Sequence, residues 1–320
     1  MKNQSIILLL CFIFLIGCVD TKIIDEEKKI KTLVIEFPIN VLFNKNPSSS
    51  DKCNNLLRPY SEEYKMELLY EVYDGNNNLL SKHSRTLNIN DVFQAKREYH
   101  LDIYSTHESK DYNILMLLYF VNSNNENRLY TIKSLREVEI DSIHFNTNTI
   151  LKEIYTGLIK IDDELNHQDT LSVELHSPYA HYKIWTNDLY QYLKETGKDE
   201  NDSILLRIRY PEYYLSAYDI YRQEPIRAKT GLFVDKWIRL NDSLLIFDYL
   251  FVQGDTSKTK VKFDIMKNEN CDSVESSYRP IEISYTKNEV VIFRENFLTS
   301  FKETGIVINP DFDGEFNITL

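Results

Sequence analysis

The residues best suited to covalent chemistry lie at the start of the chain. Gly17 and Cys18 directly follow an apolar run from Ile6 to Ile16. This run is too short to cross a bilayer as a helix, which needs about 20 apolar residues, so it indicates a signal peptide. Together with Leu15, these residues match the bacterial lipobox. In that motif the peptide bond before the cysteine is cut and the thiol is acylated.

The lipobox predicts signal cleavage between Gly17 and Cys18 and lipidation of the Cys18 thiol. Each buried CH₂ of acyl chains such as palmitate contributes about 0.8 kcal/mol, so several chains hold a protein firmly on a membrane. We therefore expect the mature chain to work outside the cytoplasm, attached to a membrane through Cys18. Two alternatives are an ordinary secretory peptide with an unrelated cysteine and a buried apolar strand.

Histidine is the first candidate metal ligand. The seven histidines are His83, His100, His107, His144, His167, His176 and His181. His176 and His181 are five residues apart, so on one strand their side chains would point to opposite faces and could not share a metal. A turn at Pro178 is the alternative that could bring them together. The sequence predicts no metal site.

Carboxylates near the C-terminus are the second candidate. Asp311, Asp313 and Glu315 alternate around Gly314 and could offer oxygens to calcium, but the ligand spacing of an EF-hand loop is absent. A turn with exposed carboxylates is the favoured interpretation. No nucleophile elbow or phosphate-binding glycine loop occurs in the sequence. We predict no enzymatic activity and no cofactor, although a glycosidase carboxylate pair can form between residues distant in sequence.

Two pairs of basic residues share strand faces because side chains alternate along a strand. These pairs are Arg207 with Arg209 and Lys258 with Lys260. The favoured interpretation is the solvated face of a half-buried strand. A ligand-binding patch is the alternative.

Composition limits the possible partners. The formal net charge is -12, and it becomes -13 after signal removal because Lys2 is the only charged residue before Cys18. Nucleic-acid binding depends on clustered basic residues, so no nucleic-acid partner is expected. Cys53 and Cys271 would remain as thiols, and we expect them to be unpaired. A disulfide between them is the alternative.

Strands dominate the sequence pattern. The chain has 22 Tyr and 16 Phe against 8 Gly and 8 Pro, which is typical of pleated sheets. Apolar residues alternate from Leu33 to Phe43, and Pro38 within them predicts an edge strand or a bulge. The run Ile114 to Val121 is continuously apolar, as in a strand buried on both faces. Most aromatic rings are expected in the core.

Two local signals complete the secondary structure. Asp74 to Asn77 has the composition of a hairpin turn. Asp188 to Thr196 is predicted to be a helix that Gly197 ends.

Successive short strands with polar turns indicate an all-β protein of two consecutive β-sandwiches. The predicted division is a signal peptide at 1–17, a lipidated tether at 18–31, an N-terminal sandwich at 32–162 and a C-terminal sandwich at 163–320. Asp25 to Glu27 within the tether is similar to acidic export signals of surface lipoproteins.

The second half resembles a family of Bacteroidota lipoproteins related to fimbrial anchors and fimbrillin-associated proteins. The resemblance depends on the order of these segments: Ile154 to Gly157, Pro178 to Ala180, Arg209 to Pro211, Ala217 to Asp219, Phe293 to Thr299 and Asn309 to Asn317. It implies two transthyretin-like β-sandwiches and a place in cell-surface fimbriae. The implied partners are fimbrial or other surface subunits, bound when a strand of one subunit completes the sheet of another.

The resemblance also implies a location on the cell outer membrane. Stalk subunits of such fimbriae lose the lipid and first strand to an arginine-specific protease. Here Arg58 is the only arginine before Arg85, and Pro59 after it makes a poor cleavage site. The lipid is therefore predicted to stay, which favours an anchor or accessory subunit. The alternative function is a glycan- or host-binding adhesin lipoprotein without a fibre.

Overall fold

The computed structural model describes residues 28–36, 64–87, 98–105, 111–122, 124, 129–141, 152–162, 165, 168–241, 243–267 and 273–299. Strands account for nearly all regular structure in these residues, which confirms the all-β class. The strands of the first part of the chain are β1 (Lys28–Glu36), β2 (Tyr64–Asp74), β3 (Leu79–Leu87), β4 (Glu98–Ser105), β5 (Tyr112–Asn122), β6 (Tyr130–Ser134), β7 (Glu137–Ile140), β8 (Ile154–Ile161) and β9 (Thr170–Glu174).

The remaining elements include one helix, α1 (Leu189–Thr196). The strands are β10 (Tyr179–Thr186), β11 (Ser203–Asp219), β12 (Glu224–Arg239), β13 (Leu244–Phe251), β14 (Thr256–Met266), β15 (Val274–Ser277), β16 (Ile281–Thr286) and β17 (Val290–Glu295). The helix confirms the predicted one, and Gly197 ends it in the left-handed conformation with φ 69°. A residue with a Cβ would be strained there.

The first sandwich packs two sheets face to face. One has the order β4-β1-β9 and the other the order β3-β2-β5-β8. The predicted hairpin turn joins β2 to β3, with Asn77 at φ 67° and Asp74 accepting backbone hydrogen bonds from Asn76 and Asn78 at 2.9 and 2.7 Å.

Strand β1 differs from its prediction in two ways. It begins at Lys28, inside the range predicted as a tether, because Lys28 and Lys29 already pair with Ser105 and Tyr104 of β4. Its described part lies between β4 and β9 and not at an edge. Pro38, on which that prediction depended, lies outside the described residues.

Strand β5 is buried on both faces, as its sequence predicts. Ile114, Met116, Leu118 and Phe120 belong to the core of the first sandwich. Leu115, Leu117, Tyr119 and Val121 belong to a second, larger core. The sheet β3-β2-β5-β8 therefore separates two hydrophobic cores and contributes to each.

The second core brings together the later sheets. One has the order β13-β10-β17, and a seven-stranded sheet has the order β15-β14-β11-β7-β6, with β12 beside β11 and β16 beside β14. Tyrosines fill much of this core, and the fully buried ones include Tyr179, Tyr182, Tyr210, Tyr214, Tyr218 and Tyr249. Among the described residues, most aromatic rings are therefore buried, as the sequence predicts.

Strand pairing connects residues on opposite sides of the predicted division at 162/163. Strand β9 pairs with β1 in the first sandwich, and β7 pairs with β11 in the seven-stranded sheet. The domain limits stay a prediction.

Candidate partner-binding surface

The longest pair of strands in the described structure forms a hairpin. Strands β11 and β12 contain 17 and 16 residues and pair from Ser203 with Arg239 to Asp219 with Glu224. Gln223, at φ 58°, lies in the turn between them. β11 has neighbours on its other side, β14 near its start and β7 near its end.

The outer edge of β12 has no neighbouring strand within the described part of the chain. Among the described strands, β12 pairs with β11 alone. An unpaired edge presents a row of backbone N–H and C=O groups that can template another strand. The geometry therefore offers a site for strand addition along β12.

Exposed aromatic side chains lie beside this edge. Phe233 is 42% exposed and Trp237 is 54% exposed, while Val234 and Ile238 on the opposite face of β12 are buried. Tyr213, on β11, is 68% exposed. Large exposed rings on one part of a sheet are typical of interaction surfaces. We call Phe233, Trp237 and the outer edge of β12 the β12 surface.

The basic pairs predicted from sequence are held in ion pairs. Arg207 donates two hydrogen bonds to Asp235, at 2.7 and 2.8 Å, and its guanidinium lies 4.6 Å from the Phe233 ring centroid. Arg209 donates to Asp264 at 2.8 Å. The bidentate ion pair of Arg207 and its stacking on the ring rigidify the face from which Phe233 projects.

The lysine pair has similar contacts. Lys260 donates to Glu212 at 2.6 Å, and Lys258 lies 3.6 Å from Glu282. These side chains are largely exposed, which agrees with the solvated face favoured from sequence.

The described histidines are separated. His181 is buried in β10, with the Tyr249 ring 4.6 Å away. Burial, with a smaller contribution from Lys183, lowers the pKa of His181 to about 4. His176 is exposed, and its backbone bridges Thr156 outside β10.

His83 stacks on Tyr70 at 5.0 Å, and His100 lies in β4. No group of three metal-ligating side chains occurs within the part of the chain that the structure describes. His107, His144 and His167 lie outside it.

Several predicted residues also fall outside the described ranges. They are Gly17, Cys18, Cys53, Cys271, Asp311, Asp313 and Glu315. Their lipidation, cleavage, pairing and turn assignments stay predictions. In the described ranges, no helix is both long and apolar enough to cross a membrane.

A cavity of about 300 Å³ lies between α1 and β14. Two carboxylates, Glu195 and Glu275, line it, and both are exposed to solvent. The described lining therefore has no buried carboxylate pair of the kind that raises the pKa of a glycosidase acid.

Sequence reasoning missed the β12 surface. The signal was present, because Phe233, Asp235 and Trp237 alternate with the buried Val234 and Ile238. Aromatic side chains at the positions that alternate with buried residues in an amphipathic strand are expected to face solvent. The abundance of aromatic residues in the chain obscured that signal.

Residues 27–320 match the model of a family described as a family of unknown function, DUF6562. The chain belongs to DUF6562. No curated protein matches this DUF6562 chain.

Similarity to solved structures is distant. A candidate adhesin from Bacteroides ovatus is 12% identical with a TM-score of 0.42, covering 79% of this chain and 76% of the other. A fimbrial assembly protein from Parabacteroides distasonis is 11% identical with a TM-score of 0.39, covering 84% and 92%. The fimbrial anchor protein Mfa2 from Porphyromonas gingivalis is 9% identical with a TM-score of 0.38, covering 73% and 77%.

Proposed function

We propose that this chain is a non-enzymatic lipoprotein on the surface of the cell outer membrane. It binds a partner subunit by strand addition at the β12 surface, as a fimbrial anchor or accessory subunit. The main support is the open edge of β12, 16 residues long and bordered by exposed Phe233 and Trp237. In strand addition, backbone hydrogen bonds give affinity and alternate side chains give specificity.

The proposed occupant is an extended segment of another surface protein, apolar at alternate positions. The backbone of such a segment would form hydrogen bonds with the N–H and C=O groups of the β12 edge. A polysaccharide has no peptide groups and could not form this pairing. Its apolar side chains would cover Phe233 and Trp237, which repeat every four residues on one side of β12.

The lipobox supports membrane attachment. Lipid on Cys18 would keep the chain on the membrane, and the Arg58-Pro59 bond would resist arginine-specific cleavage. Changing Cys18 to Ser should release the protein from washed membranes, whereas changing Arg58 to Lys should not. A Cys18→Ser protein that stayed in the membrane fraction would contradict lipid anchoring.

Photo-crosslinking on whole cells tests the binding mode. A benzophenone amino acid is placed at Phe233 or Trp237, and at Tyr190 on α1 as a control that is 82% exposed. We expect the two β12 positions to attach to one surface protein, at sites four residues apart, as the spacing of 233 and 237 requires for paired strands. Crosslinks from positions 233 and 237 to scattered sites in the partner would overturn strand addition. Equally frequent crosslinks from position 190 to the same partner would also overturn it.

A glycan-binding adhesin is the second candidate. Exposed Trp237 and Phe233 present flat rings that could stack on sugars. Binding of purified, lipid-free protein to a glycan array, abolished by Trp237→Ala and retained in Tyr190→Ala, would favour the adhesin. In that case the crosslinks from positions 233 and 237 would go to polysaccharide.

A further inference from the structure

A lysine and an aspartate lie in direct contact inside the second core. Lys152, just before β8, and Asp248, in the middle of β13, have side chains that are 1% and 3% exposed. The Lys152 Nζ lies 2.8 Å from Oδ1 and 3.0 Å from Oδ2 of Asp248. The Lys152 amine thus contacts both carboxyl oxygens of Asp248 and lies close to Cγ, the carbon that joins them.

Fixed donors polarise the two carboxyl oxygens differently. The Tyr210 hydroxyl donates to Oδ2 at 2.5 Å, and the Tyr249 backbone N–H donates to Oδ1 at 2.8 Å. Tyr182 holds the Tyr210 hydroxyl at 2.7 Å. Donors fixed in a dry site stabilise negative charge that develops on an oxygen, as an oxyanion hole does. Oδ2 is therefore the oxygen suited to accept such charge.

The surroundings disfavour separated charges. Burial lowers the pKa of Lys152, and the opposing attraction of Asp248 is smaller. A buried ion pair also carries a large desolvation cost that its mutual attraction offsets only in part. Transfer of one proton from Nζ to the carboxyl group would give a neutral amine, which is a nucleophile, facing a neutral acid.

We propose that Lys152 and Asp248 condense to form an intramolecular amide cross-link. The first proton of the ammonium passes to Oδ1, and Nζ then bonds to Cγ. Oδ2 takes up the negative charge against Tyr210. The bond from Cγ to Oδ1 breaks, a second proton moves from Nζ, and Oδ1 leaves as water. The third proton remains on the amide nitrogen, so no oxidant or other reactant is needed.

The position of the bond suits a protein that bears mechanical load. Lys152 and Asp248 are 96 residues apart in sequence. The bond would tie the segment entering β8, in the sheet shared by both cores, to β13 in the second core. Force applied to the later sheets would then pass to the first sandwich through a covalent bond. The cross-link does not require the proposed function, because an adhesin without a fibre could contain the same bond.

Mass spectrometry tests the proposal on the purified, denatured full chain. We expect, after proteolysis, a branched peptide joining Lys152 to Asp248, with a mass lower by one water than the sum of its two component peptides. Lys152→Met should abolish this branched peptide. The control Lys258→Met, in an exposed ion pair with Glu282, should keep the branched peptide.

Other outcomes overturn the proposal. Recovery of the two wild-type peptides only as separate, unlinked species would show an ordinary ion pair. Loss of water that persists in Lys152→Met would place the dehydration elsewhere. Because the wild-type peptide map is decisive alone, the test does not depend on the folding of either variant.

Discussion

Asp188 accepts two hydrogen bonds from Thr299, one from its backbone N–H at 2.6 Å and one from its hydroxyl at 2.7 Å. The same carboxylate accepts from the Leu298 N–H at 3.1 Å. Asp188 occupies the N-cap position of α1, yet its side chain makes no cap bond to that helix. Its oxygens instead fasten the chain that follows β17 to the start of the helix.

Removal of this carboxylate should destabilise the fold. In Asp188→Ala the N–H groups of Leu298 and Thr299 lose their acceptor, and we expect a loss of about 1–3 kcal/mol in unfolding free energy. Urea denaturation would show a lower midpoint with an unchanged slope. The exposed Asp255→Ala serves as the control, and equal midpoints for the two variants would refute the role of Asp188.

The pH dependence of this contact has a defined sign. Burial favours a raised pKa for Asp188, but hydrogen bonds from Thr186, Thr299 and Leu298 together hold the pKa below its usual value. Because the folded pKa lies below the unfolded one, its stabilisation is present above the unfolded pKa and is lost as pH falls through the folded pKa. The stability difference between wild type and Asp188→Ala should therefore shrink in strong acid.

Gly157 is needed for close packing inside the first sandwich. A Cβ at this position would lie 2.6 Å from Leu175 Cδ2 and 3.4 Å from Val173 Cγ2. Leu175 is fully buried, so its side chain has little room to move. Gly157→Ala should cost about 1–3 kcal/mol through overpacking.

A second substitution tests that mechanism. Shortening Leu175 to Val in the Gly157→Ala background should recover part of the lost stability in thermal unfolding. The exposed Ser84→Ala, on the same sheet, should leave the melting temperature nearly unchanged. A double variant that is no more stable than Gly157→Ala would argue against a clash with Leu175.

His181 should make the protein less stable as pH falls. Its pKa is lowered to about 4 by burial, and secondarily by Lys183. The unfolded chain takes up the proton near pH 6.5, whereas the folded chain does not until about 4, so stability declines between these values by up to about 3 kcal/mol. Below about pH 4 this contribution is constant.

The comparison of two histidine variants isolates this effect. His181→Phe should flatten the decline in denaturation midpoint between pH 6.5 and 4, because phenylalanine does not titrate. The exposed His176→Gln should retain the wild-type decline. A wild-type slope in His181→Phe would assign the effect to other groups.

Local patterns predicted the parts of the fold that local forces determine. The apolar run of β5, the turn after Asp74 and the helix ended by Gly197 all depend on neighbouring residues. Alternation could not reveal that β1 pairs in parallel with β9, because those residues are distant in sequence. The central position of the described part of β1, between β4 and β9, was hidden for the same reason, since pairing partners decide which strands are central. The bulge predicted at Pro38 stays a prediction.

The contact between Lys152 and Asp248 also could not be predicted from sequence, because the two residues are far apart in the chain. Nothing near Lys152 in sequence indicates Asp248, and the two come together only when β8 and β13 pack around one core. A lysine before an apolar strand ordinarily predicts a solvated charge. Long-range packing overrides that expectation here.

The two tryptophans provide a direct test of the β12 surface. The chain contains Trp185 and Trp237. Trp237 is 54% exposed, whereas Trp185 is partly buried on β10 with the Arg294 guanidinium 5.8 Å from its ring. In Trp185→Phe, fluorescence should come from Trp237 alone, emit at longer wavelength and be strongly quenched by acrylamide. In Trp237→Phe, the remaining Trp185 should be quenched less.

Stability measurements separate exposure from packing. Trp237→Phe should change unfolding free energy by no more than about 0.5 kcal/mol, as for an exposed side chain without a specific buried contact. A partner segment added along β12 should then reduce the quenching of Trp237 in the Trp185→Phe protein and leave the quenching of Trp185 unchanged. Equal quenching of the two tryptophans in the free protein would contradict the exposed position of Trp237 and remove the aromatic part of the β12 surface.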